Sequence, residues 1–374
     1  MKNNMPAQGW SAPGGKKIWI PIIVVIIIVV AVAVFYKPAP KETIKIGAIL
    51  PLTGELASLG QGAKNGALLA FQELTADQQK KVQLLFEDDQ FDPKNTISAF
   101  NKLISMDKVN VVICLASGPC NAIAPLAEEQ QIPLIALASD PKIQKDKNFV
   151  VRLEIAPSEE AKILLDYIET KNYKSLASVV ALQDGILAGY DNLLKDTGYS
   201  AIEVISEKVK PDEKDYRTVI TKIISKQPDV IFVGLLPGFA GDFGKQARTL
   251  GYKGDFIGLN FLEGDETLLS AQGTLDGIIF TTRKEPRGWF IDAYKKQYGE
   301  TFGPTSAGLY DSMMLIAKGV DTGKTSNLEI AKYLNAIKDY SGALGVFSST
   351  DTHEFALPIM LKTIKNGKFV PYGE

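Results

Sequence analysis

Short apolar runs rich in β-branched residues alternate with amphipathic stretches along this chain, and the whole alternation occurs twice. The first set of strand-like runs falls at Ile44–Leu50, Val82–Glu87, Val109–Leu115, Pro133–Leu137 and Phe149–Leu153. Between them, Gln61–Leu74 and Pro93–Met106 carry apolar residues at helical spacing; in the second stretch Ile97, Phe100, Leu103 and Ile104 share one face. Apolar strands separated by helices imply βαβ units and a parallel sheet covered on both faces. The pattern restarts with strand-like Leu176–Leu182, Ile202–Val209, Val230–Leu236, Phe256–Leu259 and Gly277–Thr281. Helices are expected there at Ser158–Thr170, Asp191–Asp196, Tyr216–Lys226 and Gly241–Leu250. Two such sets are too many strands for one twisted sheet, so the expectation is an α/β protein of two doubly wound lobes.

After Pro286 the order changes to helices at Gly288–Gly299, Thr305–Gly319 and Asn327–Asp339. Strand-like Val346–Ser349 and Leu357–Ile364 follow, with a closing turn at Asn366–Lys368. Those helices have no strand partners of their own and should pack back onto one lobe. A chain that crosses between lobes more than once makes a hinged body with a cleft. In open α/β sheets, ligands sit in the crevice beyond the carboxyl ends of the strands.

Ahead of the first strand lies an uncharged run of nineteen residues, Ile18–Tyr36. As a helix it spans about 28 Å, close to the hydrocarbon thickness of a bilayer. Ala31-Val32-Ala33 offers a small-x-small exit site for a cleaved signal. The full-length run, with Trp19 and Tyr36 near its two ends, reads instead as a single-pass anchor. Lys2, Lys16 and Lys17, with no acid among residues 1–17, keep that tail in the cytoplasm and put the large remainder outside, extracellular or periplasmic. Residues 37–43 form a stiff polar linker that reaches roughly 20 Å if extended. No Cys closely follows the run, so no lipid attachment is indicated.

Charge excludes some functions. The chain has 41 Lys and Arg against 43 Asp and Glu, and four of the lysines but none of the acids lie in the first 40 residues, so the exported part is mildly acidic and unsuited to nucleic acid. A single histidine, His353, rules out His-rich metal sites and argues against a His-based catalytic triad. No nucleophile–base pair stands out, and no enzyme, cofactor or metal is expected. Glu87-Asp88-Asp89 with Asp92 reads as a solvated loop leading to a helix entry, and His353 as a surface residue. Gly60-x-Gly62-x-x-x-Gly66 has one residue too many for a dinucleotide loop and reads as close helix packing. Cys114 and Cys120 either pair outside the cell or leave Cys114 as a small core residue.

Two turns of the first lobe could carry binding chemistry. Val111–Cys114 runs into Leu115-Ala116-Ser117-Gly118-Pro119, and Ile135–Leu137 into Ala138-Ser139-Asp140-Pro141. Each reads as a helix start, with Ser117 or Gly118 as the cap in the first and a cap residue followed by proline in the second; the unpaired backbone N–H groups and positive dipole end of each are a site for a carboxylate or other anion, the alternative being that the hydroxyls only cap their own helices.

The opening IKIGAILPLTGELASLGQGAKNGALLAFQEL resembles that of type I periplasmic binding proteins of the leucine/isoleucine/valine-binding class, the solute receptors of branched-chain amino acid ABC transporters. LLFEDDQFDPKNTISAFNKLI, PLAEEQQIPLIALAS, FVVRLEIAPS, PDVIFVG, GKQARTLGY and KNGKFVPY continue the resemblance, in order, over about residues 44–371. It implies two Rossmann-like lobes, 44–156 plus 284–345 and 157–283 plus 346–374, joined by crossovers near Leu153–Pro157, Phe280–Glu285 and Leu344–Val346. It implies also that a ligand carboxylate is held by Ser117 with Ala138, Ser139 and Asp140. The position of the glutamate that holds the ligand ammonium falls on Asn260, with Glu263 three residues on, and an aromatic position falls on Leu59. Second-lobe tyrosine positions fall near Asp184 and Leu236. An Asp at 140 would repel a carboxylate unless it turns away, and Asn260 is neutral, so the fold carries over and the ligand is expected as a small polar solute, amino-acid-like, an amide or related. The expected role is a membrane-anchored binding protein that delivers its solute to an ABC permease by hinge closure. The alternative is a sensing ectodomain that acts through a partner protein.

Overall fold

The computed structural model describes residues 43–54, 56–299 and 305–373, and before them only Gly9. The expected cytoplasmic tail, the Ile18–Tyr36 anchor and all of the linker but Thr43 lie outside the described residues. Among the described residues no helix is long and apolar enough to cross a membrane.

The first sheet consists of β1 (Ile44–Leu50), β2 (Val82–Asp88), β3 (Val111–Leu115), β4 (Leu134–Leu137) and β5 (Val150–Arg152), all parallel, in the order β2-β1-β3-β4-β5. Strands β3, β4 and β5 are buried throughout, as their unbroken apolar runs require. Helices α1 (Ala57–Glu73), α2 (Pro93–Lys102) and α3 (Ser117–Glu129) connect the first four strands. The acids at the end of β2 serve the loop. Asp88 accepts the backbone N–H groups of Leu52 and Gln90, and Asp92 caps α2 through Lys94 and Asn95.

The second sheet has five parallel strands: β6 (Leu176–Ala181), β7 (Glu203–Val209), β8 (Val230–Gly234), β9 (Asp255–Gly258) and β10 (Ile279–Arg283). Their spatial order, β7-β6-β8-β9-β10, repeats that of the first sheet. The longer helices of this lobe are α4 (Pro157–Lys171), α5 (Asp184–Leu194), α6 (Arg217–Ile224), α7 (Phe239–Thr249) and α8 (Asp265–Ala271), with a short one at Thr197–Ile202. In both lobes the order reverses beside the first strand, so the crevices lie at the ends of β1 and β3 and of β6 and β8.

The chain then returns to the first lobe through α9 (Gly288–Tyr298), α10 (Ser306–Asp321) and α11 (Asn327–Asn335), and Phe290, Tyr294, Leu309, Met313 and Ile330 join its core. A Cβ on Gly66 would collide with the Ser306 carbonyl at the α1–α10 contact, and one on Gly60 with the Pro51 carbonyl. The glycine series of α1 thus serves close packing.

The last crossover comes later than Leu344–Val346. Here β11 (Tyr340–Gly342) and β12 (Gly345–Phe347) form an antiparallel ribbon, so Val346 and Phe347 belong to that ribbon and are no strand of the second lobe. Buried Asp311 of α10 anchors the ribbon by accepting the N–H groups of Ala343 and Leu344. Phe347 and Phe355 pack together in the first core with Leu357, and only β13 (Ile359–Lys365) and β14 (Lys368–Pro371) join the second sheet, as an antiparallel edge.

The crossing segments run side by side. Arg152 donates its N–H to the His353 carbonyl, Phe355 donates to the Arg152 carbonyl, and Lys284 donates to the Pro358 carbonyl. The buried Arg152 guanidinium pairs with Glu354 and donates to the carbonyls of Ala138 and Ile155, while Arg283 and Glu154 pair at 3.2 Å. His353 is half-buried and hydrogen-bonded to Asn335, more enclosed than a plain surface residue.

Candidate functional site

Strand β3 leads directly into α3 through Ala116, which adopts φ 74° and ψ 153°. That conformation is strained for any residue with a Cβ, by about 1–3 kcal/mol, and such strain concentrates at ligand clamps and other functional positions. The kink is held by the Ala116 N–H donating to the Leu137 carbonyl, and it brings Cys114 and Cys120 to a Cα separation of 5.7 Å, where they form a disulfide. Both cysteines are also buried in the core, so Cys114 is a core residue and a bonded one.

Helix α3 begins at Ser117 with Ala116 in the capping position and no side-chain cap. This corrects the expectation that Ser117 or Gly118 caps the helix. The Ser117 hydroxyl instead faces the neighbouring turn: its Oγ lies 3.3 Å from the Ser139 Oγ and accepts the Asp140 N–H at 3.2 Å. The turn itself is no helix start either. Residues 141–146 form successive turns before β5, and Ala138 is buried with its carbonyl bonded to Arg152.

Asp140 is fully buried, and its carboxylate is taken up locally. One oxygen accepts the Lys142 N–H at 2.9 Å and the other accepts from the Asn121 side chain at 2.7 Å. Both contacts draw its charge toward the turn and α3.

Across from these residues stands the first turn of α5. A Cβ on Gly185 would lie 2.5 Å from the Ser139 Oγ and 3.2 Å from the Phe261 ring. At this point the two lobes touch, and only a glycine permits it. Gln183 caps α5 by accepting the Ile186 N–H. Asp184 is the first residue of α5, and its side chain lies outside the described structure. Leu236, after β8, and Leu59, on α1, are half-buried against the second and first cores.

Asn260 follows β9 at the start of a short 3-10 turn. Its N–H donates to the Glu160 carboxylate at 3.3 Å, and its side-chain oxygen is buried with no partner among the described residues. Glu263 is not available as a substitute acid: it accepts from Lys362 at 2.5 Å and from the Thr282 hydroxyl at 2.5 Å. Glu160 was not singled out by sequence reasoning, because two acids in the first turn of a helix read as ordinary complements to its dipole. Burial pushes its carboxyl up to about 8, against the pull of hydrogen bonds from the Thr281 hydroxyl and the Asn260 N–H.

Two lobes of like strand order are joined by crossing segments that run side by side. Residues 43–368 match the periplasmic binding protein family, and the chain belongs to it. A Leu/Ile/Val-binding protein, BraC3, of Rhizobium johnstonii is 27% identical over 67% of this chain and 70% of its own length. A Leu/Ile/Val-binding protein homologue of Brucella melitensis is 26% identical over 84% and 89%. The solved structure of a branched-chain amino acid transporter substrate-binding protein from Streptococcus pneumoniae, in complex with isoleucine, is 26% identical with a TM-score of 0.76, covering 88% of this chain and 98% of that one. A leucine-binding protein structure from Thermotoga maritima, 20% identical with a TM-score of 0.79 and the same coverage, shares the fold.

Proposed function

We propose that this protein captures a small amino-acid-like solute between its lobes, with a branched-chain amino acid as the leading ligand. It is held at the membrane by the Ile18–Tyr36 segment and passes its solute to an ABC permease. The observation that carries the ligand reading is the state of Asp140. With its carboxylate bonded to Asn121 and to the Lys142 N–H, it presents no free acid beside Ser117 and Ser139. The uncapped start of α3 then offers backbone N–H groups and a positive dipole end to a ligand carboxylate. The names of the relatives and the isoleucine in the pneumococcal structure support the same ligand class.

Calorimetric titration of the full chain with L-isoleucine, L-leucine and L-valine tests the proposal. Binding is expected, together with a thermal stabilisation of about 2.7 kcal/mol at a ligand concentration 100 times Kd. Ser117→Ala removes a hydrogen bond to a charged group, worth about 1.5–3 kcal/mol, and should weaken binding at least tenfold. Failure of all three amino acids to bind refutes the reading. Unchanged affinity in Ser117→Ala removes that serine from the site.

A further inference from the structure

We propose that the Cys114–Cys120 disulfide is a positioning element of the ligand site, which holds the turn at Ala116 in its binding conformation before any ligand arrives. This rests on the amino-acid reading above and goes beyond it, because it gives a part in affinity to two side chains that lie in the core.

The bond joins two places of unequal freedom. Cys114 is fixed, since its strand is paired with β1 at Ile49 and with β4 at Ala136. Cys120 belongs to the start of α3, which reaches that strand only through the kink at Ala116. Both side chains are fully buried, in the core layer that also holds Ile123, Ala136 and Ala138. The cross-link therefore ties the start of α3 to an interior strand of the first sheet. The residues from Leu115 to Pro119 become a closed loop whose ends are six positions apart. So short a loop constrains the unfolded chain less than a long one would, which leaves local geometry as the main thing the bond controls.

That loop contains the groups on which the carboxylate reading depends. At the start of α3 the Ala116 N–H is spent on the Leu137 carbonyl and Pro119 has none, so the N–H groups of Ser117 and Gly118 remain for an anion. The Ser117 hydroxyl, 3.3 Å from that of Ser139, lies in the same loop. All of them are aimed by Ala116 at φ 74° and ψ 153°, a conformation that disfavours any residue with a Cβ. Besides the disulfide, the kink is held by neutral hydrogen bonds. The Ala116 N–H donates to the Leu137 carbonyl at 2.9 Å, the Cys120 N–H to the Ala116 carbonyl at 3.0 Å and the Asp140 N–H to the Ser117 hydroxyl at 3.2 Å. Each is a small net gain, because water offers the same groups partners when the turn relaxes. A covalent tie to β3 keeps the free protein from relaxing there, so the ligand does not have to restore the turn on binding.

The experiment compares the full chain with its Cys114→Ala/Cys120→Ala variant, by calorimetric titration with L-isoleucine and by amide hydrogen exchange without ligand. The strain at Ala116, converted to affinity, sets the expected loss of isoleucine binding at about 5- to 150-fold. In the free variant the Ala116 amide should exchange faster than in the parent, while the amides of β8, in the other lobe, keep their rates; a general loss of stability would speed both. Adding Ala116→Gly to the variant should recover part of the affinity, because glycine enters this conformation without a Cβ clash. Cys120→Ala alone breaks the bond with a smaller loss of packing and repeats the comparison if the double variant does not fold. Isoleucine affinity within about twofold of the parent, or exchange at Ala116 no faster than in the parent, overturns the proposal and leaves amino acid binding intact. A parent chain that binds no isoleucine refutes the reading above, and the exchange comparison, made without ligand, then decides what the disulfide does.

Discussion

Gly185→Ala is the sharpest probe of how the two lobes meet. The added methyl would stand 2.5 Å from the Ser139 Oγ, 3.2 Å from the Phe261 ring and 3.3 Å from the Ser139 Cβ. Ordinary carbon contacts begin near 3.5 Å, so the first of these is short by about 1 Å. Rotating the Ser139 hydroxyl removes one conflict and leaves the other two. Overpacking of this kind costs about 1–3 kcal/mol, which corresponds to roughly 5- to 150-fold weaker binding if closure on the ligand requires this contact. Separating the lobes relieves both Ser139 contacts and leaves the 3.2 Å approach to Phe261, on the same lobe, which a shift of a few tenths of an ångström in the ring relieves. There, replacing a helical glycine should leave stability unchanged or raise it by about 0.4–1 kcal/mol. Isothermal titration with L-isoleucine and urea unfolding without ligand separate the two effects. The expected pair of results is weaker binding with an equal or higher urea midpoint. Binding within twofold of the parent protein would show that this contact plays no part in closure. Loss of more than about 1 kcal/mol of stability without ligand would show that the lobes stay locked together here.

Two further substitutions test the frame around the site. Gly66→Ala drives a methyl into the Ser306 backbone, which has no rotamer to yield, so it should destabilise by about 1–2 kcal/mol although alanine is the better helix former. Gly288→Ala, where the same methyl meets open space, should be neutral; equal urea midpoints for both would refute the packing argument. Arg152→Met leaves Glu354 without its cation and two carbonyls without a donor, at a cost of about 3–5 kcal/mol. A loss below about 1 kcal/mol in thermal unfolding would mean that the pair contributes little to the crossing segments.

Much of the architecture was legible because burial on both faces leaves a coarse mark. A strand such as Val111–Leu115 must be apolar at every position, and two series of such strands demand two sheets. The last crossover was misread because Val346–Ser349 is apolar enough for a strand, and sequence does not say which neighbour it pairs with. The partner, Tyr340–Gly342, is too short to stand out, and the anchor, Asp311, lies on another helix. Local spacing offers Ser117 or Gly118 as a cap; the backbone kink at Ala116 frees the Ser117 hydroxyl to meet Ser139, and nothing in an alanine announces a positive φ.

The sequence by itself determined the fold class and the places where strands give way to turns, since both follow from local periodicity and from which residues can enter a parallel sheet. The partners of the polar groups in those turns were decided only by the tertiary structure. Asp140 is answered by Asn121, Glu263 by Lys362, and Glu160 by Thr281, each across a separation that no local pattern encodes. Whether an acid is a free charge or a satisfied structural group depends on burial and on the donors within about 3 Å, and those exist only once the lobes have folded.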